Sequence, residues 1–295
     1  MMVVALAVFL AGLALDPRVV TGAPVWMKPA KFALSIAVYA ATLAWLLSFL
    51  RDRRPLAVSV VSWATAVLLG GEIVIIAVQA ARGTTSHFNN ATSLDAALFS
   101  AMGAMIAVVW FLAVAAALLL WRYPFADRAM GRAIRFGVVV SLLGMAVAFL
   151  MTVPRPEQIA AGSAILGAHS YGVADGGPGL PVVGWSTTGG DLRIAHFVGM
   201  HALQVLPLLA WALVRFGPSW LTEATRARLV GIAAAGYLGA LAILTWQALR
   251  GQPLLAPDAA TLLAARAVLG AVVVAVGSVV AEARRHLPLR PPAVA

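Results

Sequence analysis

Long runs of apolar residues recur along this chain, and most of them are long enough to cross a lipid bilayer. A transmembrane helix needs about 20 predominantly apolar residues, because hydrocarbon offers no partner for backbone N–H and C=O groups outside a helix. Eight runs can be marked in the sequence, at residues 2–15, 30–50, 56–81, 95–121, 133–153, 192–214, 229–249 and 260–281. The pattern predicts an all-α, polytopic transmembrane helical bundle, and we assign residues 1–295 to one transmembrane domain.

The first run, residues 2–15, is the shortest of the eight. A helix of this length reaches roughly 22 Å, whereas the hydrocarbon core of a bilayer is about 30 Å thick. The run could instead be a signal peptide that is removed, although it lacks the basic residues that normally precede the apolar part. The sequence therefore leaves open whether this run spans the membrane.

Cations are distributed unevenly over the polar connections between the runs. Arginine outnumbers acidic residues in 51–54, 122–135 and 215–228, whereas cations and acids nearly balance in the connections that alternate with them. Cytoplasmic loops of membrane proteins carry the excess of Lys and Arg. The expected arrangement is a multi-pass protein of the inner (plasma) membrane, with both chain ends in the cytoplasm when every run spans.

Composition narrows the chemistry that such a bundle can perform. Only 11% of the residues are charged, and the net charge of +10 comes mainly from arginine in the loops. No nucleic-acid-binding motif accompanies that charge, so the expected partner is the lipid bilayer and not a nucleic acid. The chain has no cysteine, which excludes disulfides, thiolate metal sites and iron–sulfur clusters.

The outer connections hold most of the remaining polar side chains. They cover residues 16–32, 79–95 and 169–193, and the last belongs to a long extracytoplasmic loop over 154–191. Loops of this length are typical of lids and binding loops. Within it we predict a short interfacial helix over 158–168 and a helix cap formed by Thr188 with Asp191. A functional site in the outer half of the bundle is therefore expected.

A polar stripe follows one face of the second apolar run. It consists of Lys28, Lys31, Ser35, Tyr39 and Thr42, which lie close together when successive residues are placed about 100° apart. One interpretation is an interfacial anchor, in which the lysines reach towards lipid headgroups. The other is that Lys28 and Lys31 bind an anionic group or act as charge partners of Glu72.

Glu72 lies in the third run, about nine residues from its outer end and hence roughly 13 Å deep. An ionisable side chain at that depth costs several kcal/mol unless it is paired, protonated or hydrated, so it is a functional candidate by default. Gln79 follows on the same face. The alternative is a structural ion pair or a neutral, hydrogen-bonded acid between helices.

The helix after the long loop carries a polar arc on an otherwise apolar surface. Arg193, His196, His201 and Gln204 fall within about 140° of each other. Such an arc faces a cavity, a partner helix or a ligand. His87, in the outer loop before the fourth run, is either a ligand or proton carrier or a loop hydrogen-bonding group. Thr92 and Asp95 in the same loop have the spacing of a helix cap.

These side chains define a candidate metal or haem site. A divalent metal would be held by Glu72 and His87 together with either His196 or His201, because the two helical histidines are too far apart around their helix to chelate one ion together. A b-type haem would take His87 or His169 together with His196 as axial ligands. Lys28, Lys31 and Arg193 would then hold an anionic group of the cofactor.

Four motifs give the chain a resemblance to known sequences. They are W-x-K-P-x-K-F at 26–32, G-G-E at 70–72, S-H-F-N at 86–89 and G-D-L-R-x-x-H-F-x-x-x-H-x-x-Q at 190–204. The combination resembles an uncharacterised group of bacterial polytopic membrane proteins over roughly residues 15–210. The resemblance implies a bacterial membrane origin and carries no activity with it.

Three functional hypotheses follow from the sequence. The leading one is a haem- or metal-dependent membrane oxidoreductase or cytochrome-like module, with Glu72, His201 and Lys31 as catalytic groups and a quinone-like or other small molecule as ligand. The second is a transporter or solute-binding membrane protein in which Glu72 and His201 titrate. The third is a structural subunit, in a homo-oligomer or a larger membrane complex, whose polar arc packs on a partner.

Overall fold

A computed structural model describes residues 1–285 of the chain. Nine helices and two very short hairpins are present in this part. The helices are α1 (Met2–Leu15), α2 (Met27–Ser48), α3 (Pro55–Ala81), α4 (Ser93–Trp121), α5 (Arg128–Thr152), α6 (Pro156–Ala160), α7 (Leu192–Arg215), α8 (Glu223–Leu249) and α9 (Ala259–Arg285). The strands are β1 (Val19–Val20), β2 (Ala23–Pro24), β3 (Ser170–Tyr171) and β4 (Gly190–Asp191), paired β1 with β2 and β3 with β4, both antiparallel.

The predicted all-α polytopic bundle is confirmed. Seven helices within residues 1–285 are long and apolar enough to cross a membrane, namely α2, α3, α4, α5 with the short α6 behind it, α7, α8 and α9. The helix α1 is apolar but shorter. Large apolar side chains such as Trp63, Phe111 and Leu118 are exposed on the outside of the bundle, as expected of a surface that faces lipid.

A very close helix contact joins α5 and α7 at two glycines. A Cβ atom added to Gly144 would lie 2.5 Å from the backbone of Gly199, and one added to Gly199 would lie 2.4 Å from Gly144. Small residues at such crossings let helix backbones approach closely in a membrane. The contact fixes α7, the helix that carries the predicted polar arc, against the centre of the bundle.

Within the described residues, three clusters of buried apolar side chains pack the helices together. One cluster of buried side chains joins α5, α7 and α8, and includes Val140, Leu192 and Val230. A second joins α2, α4 and α5 around Leu46 and Leu120. A third joins α1, α2 and α3 around residues such as Phe9, Ala33 and Ile73. The helices α2, α3 and α7, which carry the candidate residues, are therefore all held in the packed part of the bundle.

The long outer loop differs from the prediction in two places. The helix within it is α6, which ends at Ala160, and residues 161–168 form turns and a bridge in which Ile165 pairs with Asn89 of the preceding outer loop. The predicted helix over 158–168 is therefore wrong, because these residues find backbone partners in another loop. The cap of α7 is also different, since Asp191 itself is the N-cap and accepts from the backbone N–H of Arg193.

Candidate functional site

Glu72 and His87 lie together towards the end of the bundle that the sequence predicts to face outward, which we call the outer end. Glu72, on α3, is only 1% exposed, and its Oε2 atom has no hydrogen-bond partner among the described residues. Its Oε1 atom lies 3.8 Å from Nε2 of His87, which is too long for a direct hydrogen bond. The other ring nitrogen of His87 lies 3.0 Å from the hydroxyl of Ser86. The two side chains are thus close and buried, but no direct hydrogen bond joins them.

Two phenylalanine rings connect this pair to further ionisable groups. The ring of Phe32 lies 5.5 Å from the ring of His87, and the ammonium of Lys28 lies 6.0 Å from the centre of Phe32. On the other side, the rings of Phe88 and His169 are 4.9 Å apart, and Phe88 also adjoins His87 at 6.1 Å. We call Lys28, Glu72, His87 and His169, with Asp175 described next, the outer cluster.

Asp175 holds His169 in the long loop. Its Oδ2 atom lies 2.8 Å from Nδ1 of His169 and accepts the backbone N–H of the same residue at 2.9 Å. The other carboxylate oxygen accepts the backbone N–H of Ser170 at 2.8 Å. A carboxylate bonded to one ring nitrogen fixes the orientation of an imidazole and leaves the second nitrogen for another partner. Sequence analysis missed Asp175, which stands in a turn six residues after His169.

The loop histidines of the outer cluster are held in their neutral form. Burial lowers the pKa of His87 well below its ordinary value of 6.5, and the positive charges of Lys28 and His169 lower it further. Burial also lowers the pKa of His169, although the bond to Asp175 acts in the opposite direction. The pKa of Asp175 is lowered despite its burial, because His169 and two backbone N–H groups stabilise the carboxylate.

We expect acidification from pH 7.5 to 5.5 to destabilise the fold. The unfolded chain takes up protons at its histidines near pH 6.5, whereas folded His87 and His169, with lowered pKa values, resist protonation. The unfolded state therefore binds more protons, and stability is lost as the pH falls below 6.5, by at most about 1.4 kcal/mol per pH unit for each histidine. Thermal unfolding of the detergent-purified protein at a series of pH values measures this.

The matched variants for this experiment are His87→Gln and Asn90→Ala. The first removes one of the titrating groups and is expected to reduce the loss of melting temperature on acidification, as linkage requires when such a group is lost. The second removes a neutral amide of the same loop, which does not titrate, and should leave the pH dependence as in the wild type. A melting temperature that rises on acidification would contradict the electrostatic description of His87.

The tip of the long loop covers this end of the bundle. We call residues 182–184 the loop tip. The ammonium of Lys31 donates to the carbonyls of Val182 and Val183 at 3.5 and 3.2 Å, and the guanidinium of Arg193 donates to the carbonyl of Gly184 at 2.6 Å. Val182 has a φ of +65°, a strained conformation for a β-branched residue. Two cations predicted to bind an anion thus hold the loop in place.

The base of the same loop is held by a buried ion pair and by close backbone packing. Asp191 is buried, binds the guanidinium of Arg193 at 2.5 Å and accepts the backbone N–H of Ser186 at 2.8 Å. A Cβ atom added to Gly190 would meet the carbonyl oxygen of Ala248 at 1.9 Å, so strand β4 lies directly on the end of α8. The loop is therefore anchored at its base, and the side chains of Lys31 and Arg193 join its tip to the helices.

The polar arc of α7 does not face a single site. His196 lies 2.9 Å from the carbonyl oxygen of Gly144 and so bonds α7 to α5. The ring of His201 stacks on Phe197 at 4.1 Å, and its Nδ1 atom is buried without a hydrogen-bond partner among the described residues. Gln204 donates to the hydroxyl of Thr42 at 2.8 Å. The arc thus meets α5 and α2 at different levels.

The stripe on α2 is only partly turned inward. Thr42 faces α7 through its bond to Gln204, and Tyr39 lines a narrow cavity together with Ser141 and Leu203. Ser35, in contrast, is exposed on the outside of the bundle. The two polar faces that the sequence predicts on α2 and α7 therefore meet, but at the level of Thr42.

A separate buried network joins α3 to α4. Asp95 accepts hydrogen bonds from Gln79 at 2.9 Å, from Arg82 at 2.6 Å and from the hydroxyl of Thr92 at 2.7 Å, and Arg82 also bonds Gln79. Thr92 accepts from the backbone N–H of Asp95 at 3.1 Å, which confirms the predicted cap. Every member has a partner, so we assign this network a structural role.

The predicted metal site gains no support from these positions. Within residues 1–285 no group of three or more His, Asp or Glu side chains is arranged so that it could hold a metal ion. His87 and Glu72 lie together, but His196 bonds to α5 and His201 stacks on Phe197. A haem or a divalent metal remains a prediction from the sequence.

Comparison of the chain with protein-family models, with curated proteins and with solved structures finds no match. The resemblance of the four sequence motifs also remains a prediction. The features that bear on function are therefore the membrane-spanning bundle and the geometry of the outer cluster.

Proposed function

We propose that this protein binds a small carboxylate or phosphate anion together with a proton at the outer cluster, and that it belongs to the class of proton-linked transporters or solute-binding membrane proteins. The observation that carries the proposal is the buried pair of Glu72 and His87, separated by 3.8 Å, with one carboxylate oxygen unpartnered. Intramembrane carboxyl groups of this kind mark proton and substrate pathways.

The pair has the chemistry to share a proton. Neutral imidazole has one donor and one acceptor nitrogen, and a protonated carboxyl group is a donor as well as an acceptor. At 3.8 Å, Glu72 and His87 are near enough to be bridged by a ligand oxygen or by a water molecule. A buried carboxyl group without a cation in contact is stable in a membrane when it carries that proton.

A cation stands beside the pair without a partner. The ammonium of Lys28 has no hydrogen bond or ion pair among residues 1–285, and its nearest aromatic contact is Phe32 at 6.0 Å. A carboxylate or phosphate placed next to Lys28 would satisfy the ammonium and could accept from the imidazoles of His87 and His169. The ligand would reach this position from the outer side when the loop tip moves away from Lys31 and Arg193.

The proposal is tested with purified protein in vesicles that contain a trapped pH indicator. Succinate, L-glutamate and inorganic phosphate are added outside at pH 6 and at pH 8, and thermal shifts in detergent measure binding of the same compounds. We expect at least one compound to raise the melting temperature and to acidify the lumen, more strongly at pH 6. Failure of all three in both assays would contradict the proposal.

The matched variants for this test are Lys28→Met and Arg18→Gln. Loss of a charge-assisted contact costs about 1.5–3 kcal/mol. Half-maximal binding to Lys28→Met should therefore require a concentration of the active compound that is higher by roughly a factor of ten or more. Arg18 is an outer cation bound to Asp16 at 2.7 Å and lies outside the outer cluster. Its replacement is expected to leave the concentration dependence unchanged.

The second candidate is a haem- or metal-dependent membrane oxidoreductase, and the pair of His169 and Asp175 favours it. A carboxylate that bonds one nitrogen of an imidazole is a common support for a metal-ligating histidine. Optical spectra and metal analysis of the purified protein test this candidate. A Soret band, or bound zinc, copper or iron, that is lost in both His169→Ala and His87→Ala would support it over solute binding.

A further inference from the structure

The opposite end of the bundle contains a pocket lined by arginines. A cavity of about 310 Å³ lies between the end of α4 and the first turns of α5, in the range of small-ligand sites. Arg128, Arg132 and Arg135 line it together with Asp127. We call this the inner arginine pocket, and nothing in the proposed function uses it.

Two of the three guanidinium groups are held in place by backbone carbonyls. Arg132 donates to the carbonyl of Ala227 on α8 at 2.8 Å, and Arg135 donates to the carbonyls of Trp121 and Tyr123 at 2.9 and 2.8 Å. A guanidinium has five N–H donors, so each group keeps donors that have no partner among the described residues. The two side chains are therefore ordered before any ligand binds.

The third guanidinium group belongs to Arg128. The side chain of Arg128 makes no hydrogen bond or ion pair among residues 1–285, although its backbone N–H donates to Glu223 at 2.7 Å. The carboxylate of Asp127 is occupied as the cap of α5, where it accepts the backbone N–H of Met130 at 2.6 Å. Three cations thus face the cavity. Of the two nearby acids, Asp127 is already bonded to the backbone of α5, and Glu223 accepts the backbone N–H of Arg128.

Aromatic side chains complete the lining. Trp121 and Phe136 line the cavity, and the ring of Phe125 lies 5.3 Å from the guanidinium carbon of Arg135. Tryptophan and other aromatic residues are typical of the membrane–water interface, and basic pockets between transmembrane helices on the cytoplasmic side bind anionic lipid headgroups. The pocket lies at the arginine-rich end of the bundle, which the sequence predicts to be cytoplasmic.

We infer that the inner arginine pocket binds the phosphate group of an anionic ligand. Arginine binds phosphate oxygens through paired N–H groups, and three guanidinium groups suit a phosphodiester or a phosphate monoester. The group has two possible sources, which are the headgroup of an anionic phospholipid and a soluble phosphate. The aromatic lining and the position at the membrane interface favour the lipid.

The test uses delipidated full-length protein in a neutral detergent. Native mass spectrometry measures the binding of cardiolipin and of phosphatidylcholine, and inorganic phosphate is added as a competitor. We expect cardiolipin to bind and phosphatidylcholine not to bind. Because a charge-assisted contact is lost, Arg128→Gln and Arg132→Gln should each weaken cardiolipin binding about tenfold. Arg122→Gln is the control, since Arg122 is exposed in the same connection but does not line the pocket.

The outcomes separate the two sources. Cardiolipin binding that is weakened by the pocket variants but not by the control supports the lipid source. Displacement of cardiolipin by millimolar phosphate, with the same dependence on Arg128, supports the soluble source. Equal binding of both lipids, or equal loss in the control variant, overturns the inference. Arg128→Gln removes no side-chain hydrogen bond or ion pair among residues 1–285, so loss of folding does not obscure the result.

Discussion

Gly144→Ala is expected to lower the melting temperature by on the order of 5–10 °C, because the added methyl group has no space between α5 and α7. The new Cβ atom would lie 2.5 Å from the backbone of Gly199 and 2.7 Å from the backbone nitrogen of Met200. Backbone atoms cannot rotate away as a side chain can, so the two helices would have to separate. The same shift would lengthen the bond between His196 and the carbonyl of Gly144.

The matched control is Gly270→Ala on α9. A Cβ atom at Gly270 would meet nothing within 4 Å, so the substitution adds only the helix preference of alanine, worth about 0.5–1 kcal/mol. We expect this variant to melt at or above the wild-type temperature in thermal unfolding of the detergent-purified protein. If both variants melted alike, the contact between α5 and α7 would not be as close as described.

Glu72→Gln is expected to abolish the pH dependence of solute binding while leaving the fold intact. The amide keeps the shape of the protonated carboxyl group and its ability to donate a hydrogen bond, but it cannot lose a proton. Binding should therefore be about as tight at pH 8 as at pH 6, whereas the wild type should bind roughly ten times more weakly at pH 8. The melting temperature should stay equal or rise, because the variant removes a buried carboxyl group whose Oε2 atom has no partner. Binding and unfolding are measured on the same preparation.

Asp95→Asn provides the contrast for this variant. Asp95 is a buried acid on the neighbouring helix, but Gln79, Arg82 and Thr92 all bond to it. Its replacement should lower the melting temperature and leave the pH dependence of binding as in the wild type. A Glu72→Gln protein that still binds more tightly at pH 6 than at pH 8 would remove Glu72 from the proposed site.

The membrane-spanning helices could be predicted from the sequence because apolar length and loop charge determine them. The predicted runs overlap all the long helices, and their ends differ mainly where polar residues continue a helix beyond the apolar core, as at Arg128 in α5. The depth of Glu72 in the membrane stays a prediction. Burial of that side chain, at 1% exposure, agrees with the prediction that it lies inside the bundle.

Lys28, Glu72, His87 and His169 are all candidate residues from the sequence. Their grouping with Asp175 and without His196 and His201 could not be predicted, because it depends on how two loops fold over the helices. His87 and His169 come near each other around Phe88, which has a φ of +61°, and no periodic pattern indicates such a turn. His196 was expected in the site, but its distance to the carbonyl of Gly144 shows a helix contact. Whether a helical polar residue serves a ligand or a neighbouring backbone depends on packing that the spacing does not contain.

The strained loop tip bears on which compartment exchanges protons with the outer cluster. The bonds from Lys31 and Arg193 to the loop tip are hydrogen bonds from charged donors to carbonyls, each worth about 1.5–3 kcal/mol net at most. Relaxation of Val182, when the local turn between the carbonyl of Pro181 and the N–H of Val183 opens as well, would offset about 1–3 kcal/mol of that cost. The loop tip would then open more readily than its anchored base, and its opening would leave the helices undisturbed. Protons would equilibrate with the cluster from the outer compartment, so acidity there, and not in the cell interior, would set its charge.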